Sequence, residues 1–372
     1  MARIGFLSHS DMSIYYFRAP IMRELKRLGH EVIAIEPYGA YTKPIEEEFK
    51  TVIYEIDKAS LNPLKVKKDT ANLASILSTL NLDMLQTAAH KSNVFGTFAA
   101  KKAGIKVVLN LVEGLGSFYV DNNIKAKMVR FAIEMLYKKS FSLSNGTIFV
   151  NDSDPDYMIN HGIIDERKVK RIKSVGVDAN EFDPNLVNVY DFKTHKKIVL
   201  MMGRALWHKG IREFYEAADI LKDRNDTQFV FVGDGYEGNP SSADKSFLNN
   251  KNVMWIKWSN KVKELLKGTF IYVLPSYKEG FPRTVLEAMS MSLPCIVSNV
   301  SGCNEAVENN HNGLICKQKD GLDLAKKIEI LLNDEKLAKQ MGQNGRNLVL
   351  QKYNQDIITK QYIEYYRRFL DV

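Results

Sequence analysis

The residue types best suited to chemistry are two carboxylates and two cations in the second half of the sequence. Glu279 and Glu287 form an E-x(7)-E pair, and Arg204 and Lys209 form an R-x(4)-K pair. A planar guanidinium and a compact ammonium at this spacing suit the oxygens of a diphosphate. Carboxylate oxygens accept hydrogen bonds from hydroxyl groups such as those of a sugar. The alternatives are two solvated loop cations and two acids that a helix dipole favours near a helix start.

The loop around Glu279 has the composition of an anion site. The run TFIYVLP predicts a strand, and a helix is predicted from about Arg283. Gly280 lets the backbone approach a ligand, and Pro282 suits the first helical turn because its missing N–H would be unpaired there. The N–H groups expected to face an anion are those of Arg283, Thr284 and Val285. The candidate ligand-binding residues of this half are Arg204, Lys209, Gly233, Gly280, Phe281, Pro282, Thr284, Val285 and Glu287.

Three strand-end loops of the first half supply further candidates. His90 follows the strand-like run DMLQTA, and its alternatives are a helix-capping or a packed histidine. The segment SHSDMS follows the first predicted strand. The segment EGLGS follows the fifth, and its two glycines let a loop pass close to a ligand. The candidates of these loops, besides His90, are Ser8, His9, Ser13, Tyr15, Arg18, Lys91, Glu113 and Gly114.

An acidic run offers a competing metal site. Asp152, Asp154 and Asp156 stand at alternate positions after the predicted strand GTIFVN. Ser153 or Asp154, directly before Pro155, is also typical of a helix N-cap with proline in the first turn. We favour the helix cap and expect no metal site here. The three cysteines lack the number and spacing of a disulfide framework or zinc site, so we expect small buried thiols.

The elements that must position these residues alternate along the chain. Short β-branched runs such as EVIAIEP and KVVLNLV are separated by segments with apolar residues three and four positions apart. This alternation predicts parallel strands with crossover helices, a doubly wound α/β architecture, in which ligands bind beyond the carboxyl ends of the strands. A second alternating series follows a polar stretch. We therefore predict a domain over 1–186, a second over 187–353 and a final helix over 354–372 that packs back on the first domain.

The motifs in combination resemble one enzyme family. Glu279 with Glu287, Arg204 with Lys209, and Gly233 in a strand-end GDG are similar to the retaining GT-B glycosyltransferases of family four, over essentially the whole chain. The resemblance implies two facing Rossmann-like domains with a cleft between them. It implies that Arg204 and Lys209 bind the donor diphosphate, Glu279 the donor sugar and Glu287 the ribose, with no obligatory metal and no cofactor. His90 resembles the family residue that faces the donor sugar. Glu279, His90, Arg204 and Lys209 are thus the expected catalytic residues.

Longer segments are similar to one branch of that family, which acts in bacterial protein N-glycosylation. They are SHSDMSIYYFR, QTAAHKSN, LVEGLGSFYVD, GRALWHKG and PSYKEGFP. This resemblance implies UDP-GalNAc as donor, a polyprenyl-diphosphate-linked sugar, undecaprenyl-diphosphate-diacetylbacillosamine, as acceptor and an α-1,3 linkage. Three alternatives stay open: a glycosyltransferase of another glycan pathway, a nucleotide-sugar epimerase on the same architecture, and a binding protein with a degenerate site.

Composition limits the partners. The formal net charge is +8, but no run of five or six like charges and no nucleic-acid signature motif appears, so we expect no nucleic-acid partner. No apolar run approaches the roughly 18 residues that span a bilayer. We expect a cytoplasmic protein that associates peripherally with the inner membrane surface through residues 124–141 and the aromatics Tyr15, Tyr16 and Phe17. The cations expected to flank an apolar face of that helix are Lys125, Lys127, Arg130, Lys138 and Lys139. The alternative is a core-facing helix with a solvated basic edge.

Overall fold

The computed structural model of the chain describes residues 1–55, 63–120, 123–235, 238–239 and 241–370. It forms two compact units, Met1–Val175 with Ile358–Val372, and Gly176–Ile357. The division after Val175 comes earlier in the chain than the predicted boundary at residue 187. Val177, Ala179 and Phe182 are buried in the hydrophobic core of the second unit, which explains why the chain joins that unit before its first strand begins.

The first unit is built on a parallel sheet whose strands have the order β3-β2-β1-β4-β5-β6-β7. Its strands are β1 Arg3–Ser8, β2 Glu31–Glu36, β3 Lys50–Ile53, β4 Met84–Ala88, β5 Val107–Val112, β6 Gly146–Phe149 and β7 Val169–Arg171. The first six coincide with predicted runs. The sequence analysis missed β7, a short strand of the sequence VKR at the sheet edge, because it has no apolar run.

Helices connect these strands. They are α1 Asp11–Ser13, α2 Ala19–Arg27, α3 Thr42–Glu48, α4 Pro63–Thr79, α5 Thr97–Lys102, α6 Ile124–Leu143 and α7 Ser153–Asn160. Two single-turn π-helical segments, Ile14–Arg18 and Ser92–Gly96, directly follow the loops after β1 and β4. Such segments are frequent at functional sites, and here they begin next to two of the candidate loops.

The second unit repeats this architecture with the strand order β10-β9-β8-β11-β12-β13. Its strands are β8 Lys197–Met202, β9 Thr227–Val232, β10 Val253–Ile256, β11 Ile271–Leu274, β12 Cys295–Ser298 and β13 Gly313–Cys316. Its helices are α8 Ile211–Ile220, α9 Lys245–Leu248, α10 Val262–Lys267, α11 Arg283–Ser290, α12 Cys303–Ala306, α13 Gly321–Asn333 and α14 Glu335–Leu348. The predicted doubly wound α/β fold is confirmed in both units.

Burial explains why these strands were readable in the sequence. The strands of each sheet pair in parallel, and most of their residues are buried on both faces, so they form nearly continuous apolar runs. The three cysteines are free and buried, as expected. None of the helices in the described ranges combines the length and apolarity that crossing a bilayer requires.

The last helix, α15 Gln355–Tyr366, carries the chain from the second unit back into the first. Tyr362 and Tyr366 are buried in the first unit, and the Tyr366 hydroxyl donates a hydrogen bond to Oε1 of Gln86 on β4. The tyrosines of this helix therefore complete the core of the first unit.

Candidate active site

Two glycines shape the carboxyl edge of the second sheet. Gly233 follows β9 with φ +149°, and a Cβ there would lie 1.8 Å from the carbonyl oxygen of Gly203, which follows β8. The N–H of Gly203 donates to the carbonyl of Val232 at 3.0 Å. Gly233, a predicted donor-site residue, therefore lets two strand-end loops pass in contact, and any larger residue would separate them.

Lys209 and Glu279 meet at this edge as an ion pair. The Lys209 Nζ lies 2.6 Å from Glu279 Oε1, and the Ser276 hydroxyl donates to the same oxygen at 2.6 Å. The two side chains are 19% and 13% exposed, which weakens solvent screening of the pair while leaving it accessible. Sequence reasoning assigned these residues to two parts of one ligand, and the structure brings them into direct contact.

Gly210 helps to place Lys209 beside Glu279. It adopts the left-handed conformation at φ +78°, and a Cβ there would lie 2.0 Å from the carbonyl oxygen of Pro275. Lys209 ends a short 3₁₀ turn, and α8 begins at Ile211. The tight passage of Gly210 against Pro275 thus holds the turn that carries Lys209 beside the strand end that leads to Glu279.

A third loop supports the Glu279 segment from behind. Gly302, with φ +78°, follows β12, and a Cβ there would lie 2.3 Å from the carbonyl oxygen of Gly280. The N–H of Glu279 donates to the carbonyl of Ser301 at 3.3 Å, and the Ser298 hydroxyl donates to the carbonyl of Ser276. Sequence analysis missed Ser276 and Gly302. Ser276 could have been found from its place directly after β11, at the strand end where ligands bind.

Glu287 lies deeper than Glu279. It is 8% exposed on α11, and Arg283 Nε donates to its Oε1 at 2.9 Å, one helical turn away. Burial raises the pKa of the Glu287 carboxyl, and Arg283 acts in the opposite direction. The second carboxylate of the E-x(7)-E motif is therefore also paired with a cation.

One predicted donor-site residue needs correction. The N–H of Val285 was expected to be free for an anion, but it donates to the carbonyl of Pro282 at 3.1 Å, and the Val285 side chain lies in the core. The reason is that α11 closes its first turn on Pro282, so Val285 is already inside the hydrogen-bonded helix.

The remaining donor-site candidates differ in exposure. The Phe281 ring packs against Tyr353 with ring centroids 5.2 Å apart, so its side chain supports the core. Pro282 is buried and Thr284 half-buried. Arg204 is exposed at the loop after β8, on the edge that carries Lys209. Arg204, Lys209 and Glu279 are therefore among the accessible charged residues of this edge.

In the first unit, His90 sits among the three predicted loops. Its Nδ1 lies 2.5 Å from the Tyr137 hydroxyl, and a Cβ on Gly116 would lie 3.0 Å from its Nε2. Burial, together with the charge of nearby His9, lowers the pKa of His90 to about 4. The imidazole is therefore neutral at physiological pH, with one nitrogen held by a phenol and the other beside the EGLG loop.

Arg18 and Glu113 form the second polar feature of these loops. Arg18 Nη2 donates to Glu113 Oε1 at 2.6 Å, and the Arg18 side chain is 1% exposed while that of Glu113 is 27% exposed. Glu113 thus presents carboxylate surface to solvent, and Arg18 holds it from inside. Arg18 was predicted as a ligand-contacting residue, but its side chain is buried, with Glu113 and Tyr362 as neighbours, and so acts on a ligand through Glu113.

The other first-unit candidates are mostly internal. Ser8 and Ser13 are buried, and the carbonyl of Ser8 accepts a hydrogen bond from the Tyr54 hydroxyl at 2.9 Å. Tyr15 stacks on Tyr41 with centroids 4.9 Å apart. His9, Lys91 and Gly114 are half-buried in the loops that follow β1, β4 and β5. The structure therefore brings the three loops together, as expected of strand ends in one parallel sheet.

The three acids of the run 152–156 are each paired with groups of the protein, and Arg171 contacts both Asp152 and Asp156. Asp152 pairs with Lys173 at 2.5 Å, Asp156 with Arg171, and buried Asp154 accepts the N–H of Leu115 at 3.2 Å. Within the described residues, no group of three or more His, Cys, Asp or Glu side chains could hold a metal ion. The predicted helix is present as α7 with Asp152 at the N-cap position, but the side chain that accepts from its first turn is Asn151, whose Oδ1 accepts the N–H of Asp154 at 2.8 Å. Ser153 and Asp154 were the wrong cap residues because both are already inside the helix.

Two doubly wound parallel sheets, with charged residues at the strand ends of the second, define the GT-B class. Solved structures share this fold. Sucrose-phosphate synthase of Thermosynechococcus elongatus aligns with a TM-score of 0.82 over 99% of both chains, at 18% identity. The Anabaena protein HepE, in complex with UDP and glucose, aligns with a TM-score of 0.79 over 98% of this chain and 99% of that chain, at 16% identity.

Sequence comparison gives the family. The family model for glycosyl transferases group 1 matches residues 183–348. The chain is 46% identical, over 99% of both chains, to the N,N'-diacetylbacillosaminyl-diphospho-undecaprenol alpha-1,3-N-acetylgalactosaminyltransferase of Campylobacter jejuni. It is 28% identical, over 85% of this chain and 83% of the other, to the Escherichia coli UDP-Gal:alpha-D-GlcNAc-diphosphoundecaprenol alpha-1,3-galactosyltransferase. The chain belongs to the group 1 glycosyl transferases, and it is a glycosyltransferase.

Proposed function

We propose that this glycosyltransferase moves N-acetylgalactosamine from UDP-GalNAc to undecaprenyl-diphosphate-linked diacetylbacillosamine through an α-1,3 linkage. The observation that carries the proposal is the 46% identity over 99% of both chains to the Campylobacter jejuni enzyme of that name. The E. coli relative, named for transfer of galactose to a GlcNAc-diphosphoundecaprenol, supports the lipid-linked acceptor class and supplies the second candidate.

The charged edge of the second sheet suits the donor diphosphate. Arg204 is exposed there, and the Lys209 side chain is 19% exposed, so both cations are accessible to a phosphate. In this proposal Lys209 takes a phosphate oxygen as an additional partner, and Glu279 accepts hydrogen bonds from the sugar hydroxyls. Two preorganised cations stabilise the negative charge that grows on the departing UDP. They supply positive charge where other enzymes use a metal, so we propose a reaction without metal or cofactor.

The proposed reaction retains the configuration of the donor sugar. The bond between C1 of GalNAc and the β-phosphate oxygen breaks, and a bond forms between C1 and the acceptor hydroxyl oxygen on the same face of the ring. The hydroxyl proton passes to the departing phosphate oxygen, so the products are UDP and the α-linked disaccharide lipid. No protein nucleophile is required. The proposed catalytic residues position groups and stabilise charge, and Glu279 is the proposed partner of the transferred sugar in the second unit, with His90 the proposed catalytic residue of the first.

Binding roles follow for the remaining candidates. Glu287 accepts the ribose hydroxyls in this proposal, and its hydrogen bond from Arg283 holds the carboxylate ready for them. Glu113 offers a partly exposed carboxylate for the acceptor sugar, fixed from behind by Arg18. Gly114 and Gly116 have no side chains, so in this proposal a sugar can approach the backbone of the loop after β5 closely.

We also propose that the protein works at the inner surface of the cytoplasmic membrane. A polyprenyl chain remains in the bilayer, because each buried CH₂ contributes about 0.8 kcal/mol of membrane affinity. The enzyme must therefore reach the acceptor at the lipid surface. Of the aromatics predicted to contribute, Tyr15 and Phe17 are half-buried and only Tyr16 is exposed, so this cluster offers less surface than the sequence suggested.

The test is a matrix of donors and acceptors with the full chain. Purified protein is incubated with UDP-GalNAc, UDP-galactose or UDP-GlcNAc, and with diacetylbacillosamine or GlcNAc on polyprenyl diphosphate. Mass spectrometry identifies the product, and NMR gives its anomeric configuration. We expect an α-1,3-linked GalNAc product on the diacetylbacillosamine acceptor, in buffer containing EDTA.

Each competing interpretation has its own outcome in that matrix. Preference for UDP-galactose and the GlcNAc acceptor would replace the proposal with the second candidate. Conversion of one UDP-sugar into another without an acceptor would indicate an epimerase. A β-linked product would contradict retention. Loss of activity in EDTA that magnesium or manganese restores would contradict metal independence.

A further inference from the structure

Helix α6 leaves a row of large apolar side chains in water. Ile124, Met128, Phe131 and Met135 are 79%, 68%, 67% and 56% exposed. Their spacing of four, three and four residues places them on one face of the helix. We call these four residues the α6 stripe. Isolated exposed apolar residues are normal, but a continuous row of this size marks an interaction surface.

The opposite face of α6 already has its partner. Tyr137 and Phe141 are fully buried there, in a cluster with Val112 and Phe149 of the sheet. The helix therefore has two apolar faces, one in the core and one in solvent, and the alternative of a purely core-facing helix does not account for the stripe. Phe118, which is 46% exposed just before α6, extends the apolar surface.

The charged residues beside the α6 stripe indicate what kind of surface it binds. Lys127, Lys138 and Lys139 are exposed on the same helix. The helix contains one acid, Glu134, which accepts a hydrogen bond from the Tyr157 hydroxyl at 2.8 Å. Flexible apolar side chains beside lysines and without a free acid match the interface of an anionic bilayer, where the apolar row enters the acyl boundary and the ammonium groups meet the phosphates.

We propose that the α6 stripe is the surface by which this protein docks on anionic lipid. The helix lies in the plane of the interface rather than across it. This inference deepens the proposed membrane association, but it follows from exposure and charge and needs no particular donor or acceptor sugar.

The test compares full-length variants for binding to vesicles. Phosphatidylglycerol with phosphatidylethanolamine is the anionic surface, and phosphatidylcholine is the neutral one. M128S/F131S should bind anionic vesicles at least tenfold more weakly than the wild type, and K138E/K139E should lose most of the dependence on lipid charge. Trp258→Ser, which removes another exposed large side chain in the second unit, is the matched control and should bind as the wild type. Added salt should weaken wild-type binding, because the Debye length is about 8 Å at physiological ionic strength.

Three results would overturn the docking surface. They are equal binding of M128S/F131S and wild type, no binding of wild type to either vesicle, and a wild-type dimer that M128S/F131S dissociates, since the stripe would then be covered by a second copy. Transfer to a water-soluble, short-chain acceptor separates this inference from the proposed function. We expect M128S/F131S to keep wild-type turnover on it, whereas wild-type failure on it would count against the function and not against docking.

A second inference comes from the buried face of the same helix. Tyr137 is fully buried, and its hydroxyl is 2.5 Å from Nδ1 of His90. A buried hydroxyl needs an acceptor for its hydrogen. The Asn93 side chain also lies beside this hydroxyl, but its Oδ1 already accepts from the Thr87 hydroxyl at 2.7 Å, which leaves Nδ1 of His90 as the acceptor. We infer that Tyr137 is a positioning residue, which donates to Nδ1 and so fixes His90 as the tautomer with hydrogen on Nε2, the nitrogen beside Gly116. His90 then presents a neutral N–H donor.

The experiment rests on the proposed role of His90, and it separates the positioning role of Tyr137 from the role of His90 itself. Y137F should keep the melting temperature and the KM for UDP-GalNAc and lower kcat about tenfold. H90Q should lower kcat further, and Y137F/H90Q should equal H90Q, because a residue that acts through His90 has no effect in its absence. Nitrogen-15 NMR of the histidines should show Nδ1 of His90 as an acceptor in the wild type only. Full kcat in Y137F, or additive losses, would contradict the positioning role. Full kcat in H90Q would instead remove His90 from the reaction.

Discussion

The candidate groups of the two units handle charge in opposite ways. At the edge of the second sheet, the carboxylates are each paired with a cation, Glu279 with Lys209 and Glu287 with Arg283. In the first unit, burial shifts the pKa values of two titratable groups toward their uncharged forms. Burial lowers the pKa of His90 to about 4 and raises that of Glu36, at the end of β2, to about 7. One edge therefore carries paired charges, whereas burial in the other unit favours the uncharged forms of its titratable groups.

One group of the first unit stays charged although it is buried. Arg18 is a fully buried cation, and it is balanced by Glu113 at 2.6 Å. Burial of one partner of an ion pair costs desolvation energy that the attraction offsets only when the pair is close and hydrogen-bonded. The comparison teaches that the second unit offers charge at its surface, whereas the first unit offers hydrogen-bonding groups whose protonation is fixed from inside.

The largest expected effect tests the charged edge. K209A and R204A should each lower turnover by roughly two to three orders of magnitude, as expected for loss of a preorganised group that stabilises transition-state charge. Steady-state kinetics with UDP-GalNAc measures the loss. Lys222→Ala, which removes an exposed cation of the same unit, should retain full turnover. Near-normal turnover in folded K209A and R204A would end the proposal that this edge binds the diphosphate.

A smaller loss is expected for the Glu279 carboxylate. E279Q keeps the shape of the side chain and its acceptor oxygen but loses the negative charge that balances Lys209. UDP binding by calorimetry should persist, while transfer should slow by about 10- to 100-fold because orientation of the sugar governs the rate steeply. Unchanged turnover would show that the pair with Lys209 serves structure only.

The candidate donor residues could be proposed from sequence because they lie close together along the chain. Glu279, Gly280 and Glu287 occupy one strand-loop-helix segment, and the spacing itself indicates their chemistry. The first-unit partners are far apart: Tyr137 contacts His90 from 47 residues away, and Arg18 reaches Glu113 from 95 away. Nothing in either local sequence specifies such a contact, because it depends on how strands order in the sheet.

The strands were predictable for a different reason. Parallel strands buried on both faces must be apolar throughout, so most of them appear as continuous runs. Strand β7, with the sequence VKR, lies at the sheet edge and escaped detection. The unit boundary also escaped, because the buried residues Val177, Ala179 and Phe182 are scattered through a polar stretch that has no periodicity.

The Glu287 prediction sharpens the comparison within the second unit. E287A should weaken UDP binding by about tenfold, because the ribose loses its carboxylate partner, and should leave kcat at saturating donor less affected. It should also destabilise the fold by about 1–3 kcal/mol, since the substitution removes the hydrogen bond that Arg283 donates to Glu287 at 2.9 Å. Calorimetry with UDP and urea unfolding give the two values. Wild-type UDP affinity in a folded E287A would assign Glu287 to the helix alone.

The smallest expected effect concerns stability and tests whether burial raises the pKa of Glu36 in the first unit. Glu36 is buried, its Oε1 accepts a hydrogen bond from the Thr42 hydroxyl at 3.2 Å, and burial is the main cause that raises its pKa to about 7. A carboxyl with a raised folded-state pKa binds its proton more tightly in the folded than in the unfolded chain. Its unfavourable contribution therefore appears as pH rises above the unfolded value near 4.5 and is complete above pH 7.

E36Q is neutral at every pH and its amide oxygen can still accept from Thr42. We expect E36Q to be more stable than the wild type by about 1–3 kcal/mol at pH 8, with the difference shrinking toward pH 5. Urea unfolding at the two pH values measures this difference in stability. The control is Glu31→Gln on the same strand, whose carboxylate is partly exposed and paired with Arg3, and which should show no such gain. A difference independent of pH, or a loss of stability at pH 8, would mean that folding does not raise the pKa of Glu36 and that the contrast between the units does not extend to it.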